Sequence, residues 1–178
     1  MSMNLLLAGF GGQGILFTGK VAAYAGMLDG KEVSWLPSYG PEMRGGTANC
    51  SVCVSDLPIG SPLVTAPDVL IAMNLPSLEK FESSVVKDGI VIVDSSIVTA
   101  KVERNDVKAI YLPATRLASD NNLKGMANMV MAGRLFAETK FCSEDSFIEG
   151  IRKSVPARKQ ELLESNIAAV KIGMGSGD

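Results

Sequence analysis

Apolar positions in the first two thirds of the chain fall into short unbroken runs, separated by polar and glycine-rich breaks. Asn4 to Ala8 (NLLLA) is such a run, stopped at once by glycines, which is the pattern of a strand buried on both faces. From Gln13 to Leu28 the spacing turns helical. Ile15, Leu16, Gly19, Ala22, Ala23 and Gly26 share a face, with small residues that permit close packing on a sheet. Asp29-Gly30 marks a turn, and Glu32 to Leu36 reads as a second strand. Strand, glycine loop, helix and strand make a βαβ opening. Further strands are predicted over Thr47 to Val54, Val69 to Met73, Gly89 to Val93 and Val107 to Leu112, with a helix over Pro76 to Val86. The last third is helical. After a short turn at Thr115 to Ser119 come Lys124 to Thr139, Glu144 to Lys153 with Ser143 as N-cap, and an amphipathic stretch from Pro156 to about Ile172. This alternation predicts an α/β fold: a three-layer sandwich around a Rossmann-like, mostly parallel sheet. No repeat, charge block or linker interrupts it. One domain is therefore expected over residues 1–172, with 173–178 as a flexible tail.

Composition narrows the chemistry. The 178 residues are 47% hydrophobic and carry a formal net charge of -2, enough apolar surface for a core and no basic footprint for nucleic acid. There is no histidine. Ser-His-Asp and Cys-His nucleophile systems are excluded, as is any zinc site with a His ligand. Three cysteines, Cys50, Cys53 and Cys142, are fewer than an ordinary Fe–S cluster needs. Their odd number fits a reducing compartment rather than a disulfide framework. The start, MSMNLLLAGFGGQG, lacks the basic region and apolar length of a signal peptide. No run approaches a membrane span. A cytoplasmic protein with neither nucleic-acid nor membrane partners is expected.

Two loops carry the candidate chemistry. Gly9, Gly11 and Gly14, with Gly12 and Gln13 between them, form G-x-G-x-x-G after a strand and before a helix. Such glycines allow a tight turn and close backbone approach, and the helix N-terminus offers N–H groups to a phosphate. A dinucleotide site also needs an acid at the end of the second strand, where this chain has Leu36-Pro37-Ser38. Close packing alone is the competing explanation for the glycines. The second loop, Ser38 to Gly46, should lie at the same sheet edge and offers Tyr39, Glu42, Arg44, Gly45 and Gly46. Arg44 is suited to gripping a phosphate or carboxylate, or to pairing locally with Glu42. Cys50 and Cys53 have C-x-x-C spacing, but in a strand they point to opposite faces. That favours packed cysteines over a metal or redox pair. Asp94-Ser95-Ser96 reads as a turn more readily than as a cleft wall. Met126, Met129 and Met131 read as core.

Taken together, GFGGQG, WLPSYGPEMRGGTANCSVCVSD, IGSP, PDVLIAMN, GIVIVDSS, IYLPAT and NMVMAGRL resemble the gamma subunit of 2-oxoacid:ferredoxin oxidoreductases over roughly residues 3 to 140. The resemblance implies a subunit of an enzyme that oxidatively decarboxylates a 2-oxoacid with coenzyme A, giving acyl-CoA, CO2 and reduced ferredoxin. It implies that thiamine diphosphate and iron–sulfur clusters sit on partner alpha, beta and ferredoxin-like delta subunits, which also pass electrons to ferredoxin. This chain would be inactive alone, with no catalytic residue and no metal. It would pack on the thiamine-binding core and contact coenzyme A through the two loops. The Tyr39 to Gly46 loop is more similar to the 2-oxoglutarate and branched-chain types than to the pyruvate type. Two other readings stay open: a stand-alone Rossmann-type dinucleotide-binding oxidoreductase, and a purely structural subunit whose loops are interface.

Overall fold

The computed structural model describes residues 2–38 and 47–176. Six strands form one sheet: β1 (Ser2–Phe10), β2 (Glu32–Ser38), β3 (Thr47–Ser55), β4 (Val69–Ala72), β5 (Ile90–Asp94) and β6 (Lys108–Leu112). Their spatial order is β2-β3-β1-β4-β5-β6. The pairs β1–β4, β4–β5 and β5–β6 are parallel, whereas β3 runs antiparallel to both β1 and β2. The sheet is therefore mixed, though mostly parallel. The expected βαβ opening is present with one correction: β2 does not lie beside β1, because β3 is inserted between them. As the outermost strand, β2 tolerates Pro37, which has no N–H to give a ladder.

Helices α1 (Ile15–Leu28), α4 (Ala127–Thr139), α5 (Glu144–Ser154) and α6 (Leu163–Gly175) cover one face of the sheet. Their core takes Leu5, Leu7, Val52, Ile71 and Ile92 from the strands. The alternate positions Leu6, Leu70, Ala72, Val91 and Val93 face the other side, under α2 (Leu75–Phe81) and the segment around Val98. A short helix, α3 (Ala114–Asp120), replaces the turn predicted at Thr115 to Ser119 and puts Ala114 and Ala118 into the core of the helical layer. Asp94 is fully buried and acts as a turn residue. Its carboxylate accepts from the Ser96 N–H at 3.1 Å and the Thr115 hydroxyl at 2.5 Å. No helix among the described residues is long and apolar enough to cross a membrane.

Helix α1 buries Ile15, Gly19, Ala22 and Gly26 of the predicted stripe, whereas Leu16 and Ala23 are only half-buried. Thr18, Val21 and Ala25 are buried as well: Thr18 is bonded to Asn128 of α4, and α5 packs on the flank of α1 with Gly150 against the Ala25 backbone. On α5, the Ser143 hydroxyl accepts from the Ser146 N–H at 3.2 Å, as an N-cap should. The Ser143 N–H donates to Asp29 at 3.0 Å, tying the start of α5 to the end of α1. We expect Ser143→Ala to cost about 1 kcal/mol, read as a lowered urea midpoint. Hydrogen bonds from Ser143 also hold the Asp29 carboxyl below its usual value. A depressed folded-state pKa adds stability above the unfolded value of 3.8, which is lost as pH falls through the folded one. The variant should show a smaller acid-side loss.

Two features lock the helical layer. Helices α4 and α6 cross at paired glycines. A Cβ on Gly133 would overlap the Val170 carbonyl oxygen, and one on Gly173 the Val130 carbonyl oxygen. Gly173 to Gly175, expected in the tail, are therefore the last residues of α6, and Gly173 is buried. Beside this crossing, Phe136 stacks on Phe147 with centroids 4.8 Å apart. Phe141 meets both rings edge-on, at 6.4 and 6.0 Å.

Candidate functional site

The connection after β1 turns in one direction, through α1, and the connection after β4 in the other, through α2. The carboxyl ends of β1 and β4 thus form the switch point where open α/β sheets bind ligands. Here that crevice is bridged. Gln13 accepts from the Phe10 N–H at 2.6 Å and donates from Nε2 to the Met73 carbonyl at 2.9 Å. Its amide therefore braces the glycine loop against the end of β4. Gly9 has Gln13 and Ile15 where a side chain would go.

The loop opens towards the helical layer instead. Gly12 and Gly14 have φ of 93° and 77°, a region where a side chain is strained. Gly14 is the N-cap of α1 and supplies no side-chain cap, and the first turn of α1 has no acid. Those N–H groups carry the positive end of a 14-residue helix. Where a Gly14 side chain would be, Asn128 of α4 sits instead. Its Nδ2 donates to the Gly14 carbonyl and the Thr18 hydroxyl, both at 3.2 Å. A cleft of about 250 Å³ lies at this junction, bounded by Gly12, Gly14, Phe17, Asn128, Lys159 and Asn166. Lys159 is exposed on the segment entering α6, with no ion-pair partner among the described residues.

Of the predicted site residues, Gly12 and Gly14 line this cleft. Gly9 and Gln13 shape the loop, and Gly11 is exposed beside it. Tyr39, Glu42, Arg44, Gly45 and Gly46 lie outside the described residues. Sequence reasoning missed Asn128, Lys159 and Asn166. The first and third are polar residues in otherwise apolar helical faces, which was the available signal. Met126 also lines the cleft, whereas Met129 and Met131 are buried in the core as expected. Cys50 and Cys53 point to opposite faces of β3, towards the Ile15 and Ser61 carbonyls. Burial pushes the Cys50 thiol up to about 12, so it is not poised to react. Cys142 is pushed up to about 12 as well, first by burial and then by the nearby Asp29. Among the described residues, no three His, Cys, Asp or Glu side chains gather as a metal site.

Residues 4–176 match the family described as pyruvate ferredoxin/flavodoxin oxidoreductase. The ketoisovalerate oxidoreductase subunit VorA of Methanothermobacter thermautotrophicus is 40% identical over 172 residues, which are 96% of this chain and 35% of that protein. The chain thus spans about a third of the length of that relative. The 2-oxoglutarate synthase subunit KorC of Methanocaldococcus jannaschii is 38% identical, covering 90% of this chain and 88% of its own. In structure, the keto/oxoacid ferredoxin oxidoreductase gamma subunit from Geobacter sulfurreducens superposes with a TM-score of 0.83 at 27% identity, covering 97% of this chain and 96% of that one.

Proposed function

From the premise that this chain belongs to the pyruvate ferredoxin/flavodoxin oxidoreductase family, we propose that it is the gamma subunit of a 2-oxoacid:ferredoxin oxidoreductase. The whole enzyme would convert a 2-oxoacid and coenzyme A into acyl-CoA and CO2, passing two electrons to ferredoxin. Thiamine diphosphate would hold the carbon fragment and iron–sulfur clusters would carry the electrons. Both would sit on alpha, beta and delta partners, because this chain's three cysteines are packed apart and it has no histidine. Relatives acting in ketoisovalerate and 2-oxoglutarate oxidation, at 40% and 38% identity, favour a branched-chain 2-oxoacid or 2-oxoglutarate as the substrate.

The chain's own part would be to pack on the thiamine-binding core and help bind coenzyme A. The observation that carries this is the cleft where the start of α1, without a side-chain cap, and Lys159, without an ion-pair partner among the described residues, line one space. A helix N-terminus and a cation together suit a phosphate. Arg44, which lies outside the described residues, would add a bidentate grip. A dinucleotide site is less well supported. β3 separates β1 from β2, and no acid stands at Leu36 to Ser38 to hold a ribose.

Tagging this chain in its native source and purifying its complex tests the assignment. Thiamine-binding and ferredoxin-like chains should co-purify, with viologen reduced only when both a 2-oxoacid and coenzyme A are added. A chain recovered alone and inactive would sink the assignment. In the assembled enzyme, Arg44→Ala should raise KM for coenzyme A severalfold. An unchanged KM with normal assembly would remove Arg44 from the site.

A further inference from the structure

The outer edge of β6 is open, and a groove runs along it. Strand β6 is the last of the sheet and pairs only with β5. The Lys108 N–H donates to the Gly89 carbonyl at 2.8 Å, and the Leu112 carbonyl accepts from the Ser95 N–H at 2.9 Å. Residues 108 and 112 therefore turn their backbone groups inward. Alternation along the strand turns those of Ala109 and Tyr111 outward, where no strand pairs with them among the described residues. The groove, of about 620 Å³, is lined by all five β6 residues, by Leu117 of α3 and by Arg134 and Glu138 of α4. Five residues at about 3.3 Å each make it roughly as long as one short strand.

The walls of this groove carry an excess positive charge. Glu138 is the one carboxylate lining it among the described residues, and it serves two cations. Its Oε1 meets Nη2 of Arg134 and its Oε2 meets Nζ of Lys108, both at 2.6 Å. The Arg134 side chain is only 9% exposed, and its Nε is buried without a hydrogen-bond partner among the described residues. Open sheet edges are ordinarily covered or guarded by charge. Lys108, the natural guard here, is drawn to Glu138 on α4 instead.

We infer that β6 is completed by an extended acidic segment of a partner subunit, which adds a seventh strand on Ala109 and Tyr111 and sets a carboxylate beside Lys108 and Arg134. Strand addition supplies backbone hydrogen bonds, and alternate side chains of the added strand face the helical layer, where Ile110 and Leu117 offer an apolar wall. A second copy of this chain suits the edge less well, because pairing β6 with β6 would bring two positive grooves together. The inference rests on the subunit reading above and names a surface through which the chain is held.

The test uses the assembled enzyme purified through this chain. In hydrogen–deuterium exchange, the Ala109 and Tyr111 amides should exchange about tenfold more slowly in the complex than in the full chain alone. A carbodiimide, which joins an amine to a carboxylate touching it, should link Lys108 to an Asp or Glu of the partner. Unprotected amides in a complex that does co-purify would overturn the inference and leave the subunit reading standing. So would linkage of Lys108 only within this chain or to a second copy of it. If no partner co-purifies, both fall. As a second measurement, Ala109→Pro removes an outward N–H without touching the β5 ladder. It should weaken association with the partner about tenfold, and Lys108→Glu should weaken it too, by charge. Undiminished association for both variants would overturn the inference.

Discussion

Gly133→Ala lowers stability by about 3 kcal/mol, the upper end of the usual cost of overpacking, because the added methyl meets backbone rather than a side chain that can rotate away. The obstacle is the Val170 carbonyl oxygen on α6. The reciprocal contact, Gly173 against the Val130 carbonyl, means that the two helices cannot slide to relieve it without opening the other side of the crossing. For a chain of 178 residues this loss should shift the thermal midpoint down by roughly 6–12 °C. Gly175→Ala is the matched control. It lies on the same helix with nothing within 4 Å of its Cβ, so it should be neutral or slightly stabilising. Similar midpoints for the two variants would show that the α4–α6 crossing is looser than its geometry implies. Thermal scans by circular dichroism decide this directly.

The second large effect belongs to Phe136→Ala, expected to cost about 4 kcal/mol. Phe136 is 2% exposed and sits between two rings that are themselves buried, Phe141 and Phe147. Its removal leaves a cavity whose other walls belong to α4 and α5, elements already pinned by the glycine crossing and by the Ser143 cap. The site cannot collapse easily, which is the condition for a high cost. It also breaks the stacked pair with Phe147 and the edge contact with Phe141, adding to the loss from area alone. Phe136→Leu should recover more than half of the loss by refilling volume without restoring the stacking. Denaturant midpoints for the pair would separate the two contributions. A cost below about 1.5 kcal/mol for the alanine variant would mean that the neighbours close over the gap.

The sheet was legible because its strands announce themselves as apolar runs ended by turn residues. Leu5 to Ala8, Val69 to Ala72 and Ile90 to Val93 needed nothing else. The strand order was not legible. That β3 pairs antiparallel between β1 and β2 is a matter of long-range pairing, and a run such as TANCSVCV does not encode its neighbour. The end of α6 was misread because Gly173 suggests a helix stop. In the folded chain it is the one residue type that fits against the Val130 carbonyl. Likewise, the glycine loop was visible as a motif, but its orientation was not. Gln13 closing on Met73, a residue 60 positions away, turns the opening from the β1–β4 crevice towards α4 and α6. Asn128 and Asn166 become site residues only through that turn. Their local signal, a polar residue within an apolar helical face, marks a buried amide but does not say which cleft it lines.

The position of β1 also has a consequence for the order in which the chain is made. It is synthesised before both of its neighbours in the sheet: β3 at Thr47–Ser55 on one side and β4 at Val69–Ala72 on the other. Until residue 72 has left the ribosome, the Leu5-Leu6-Leu7 run has no complete set of hydrogen-bonding partners. Its α4–α6 cover is then still more than fifty residues from emerging. Pairings so distant in sequence are slow to close and leave apolar surface open meanwhile. Until the helical layer has been made, β1 is therefore a sticky apolar strand, a segment suited to capture by a general chaperone.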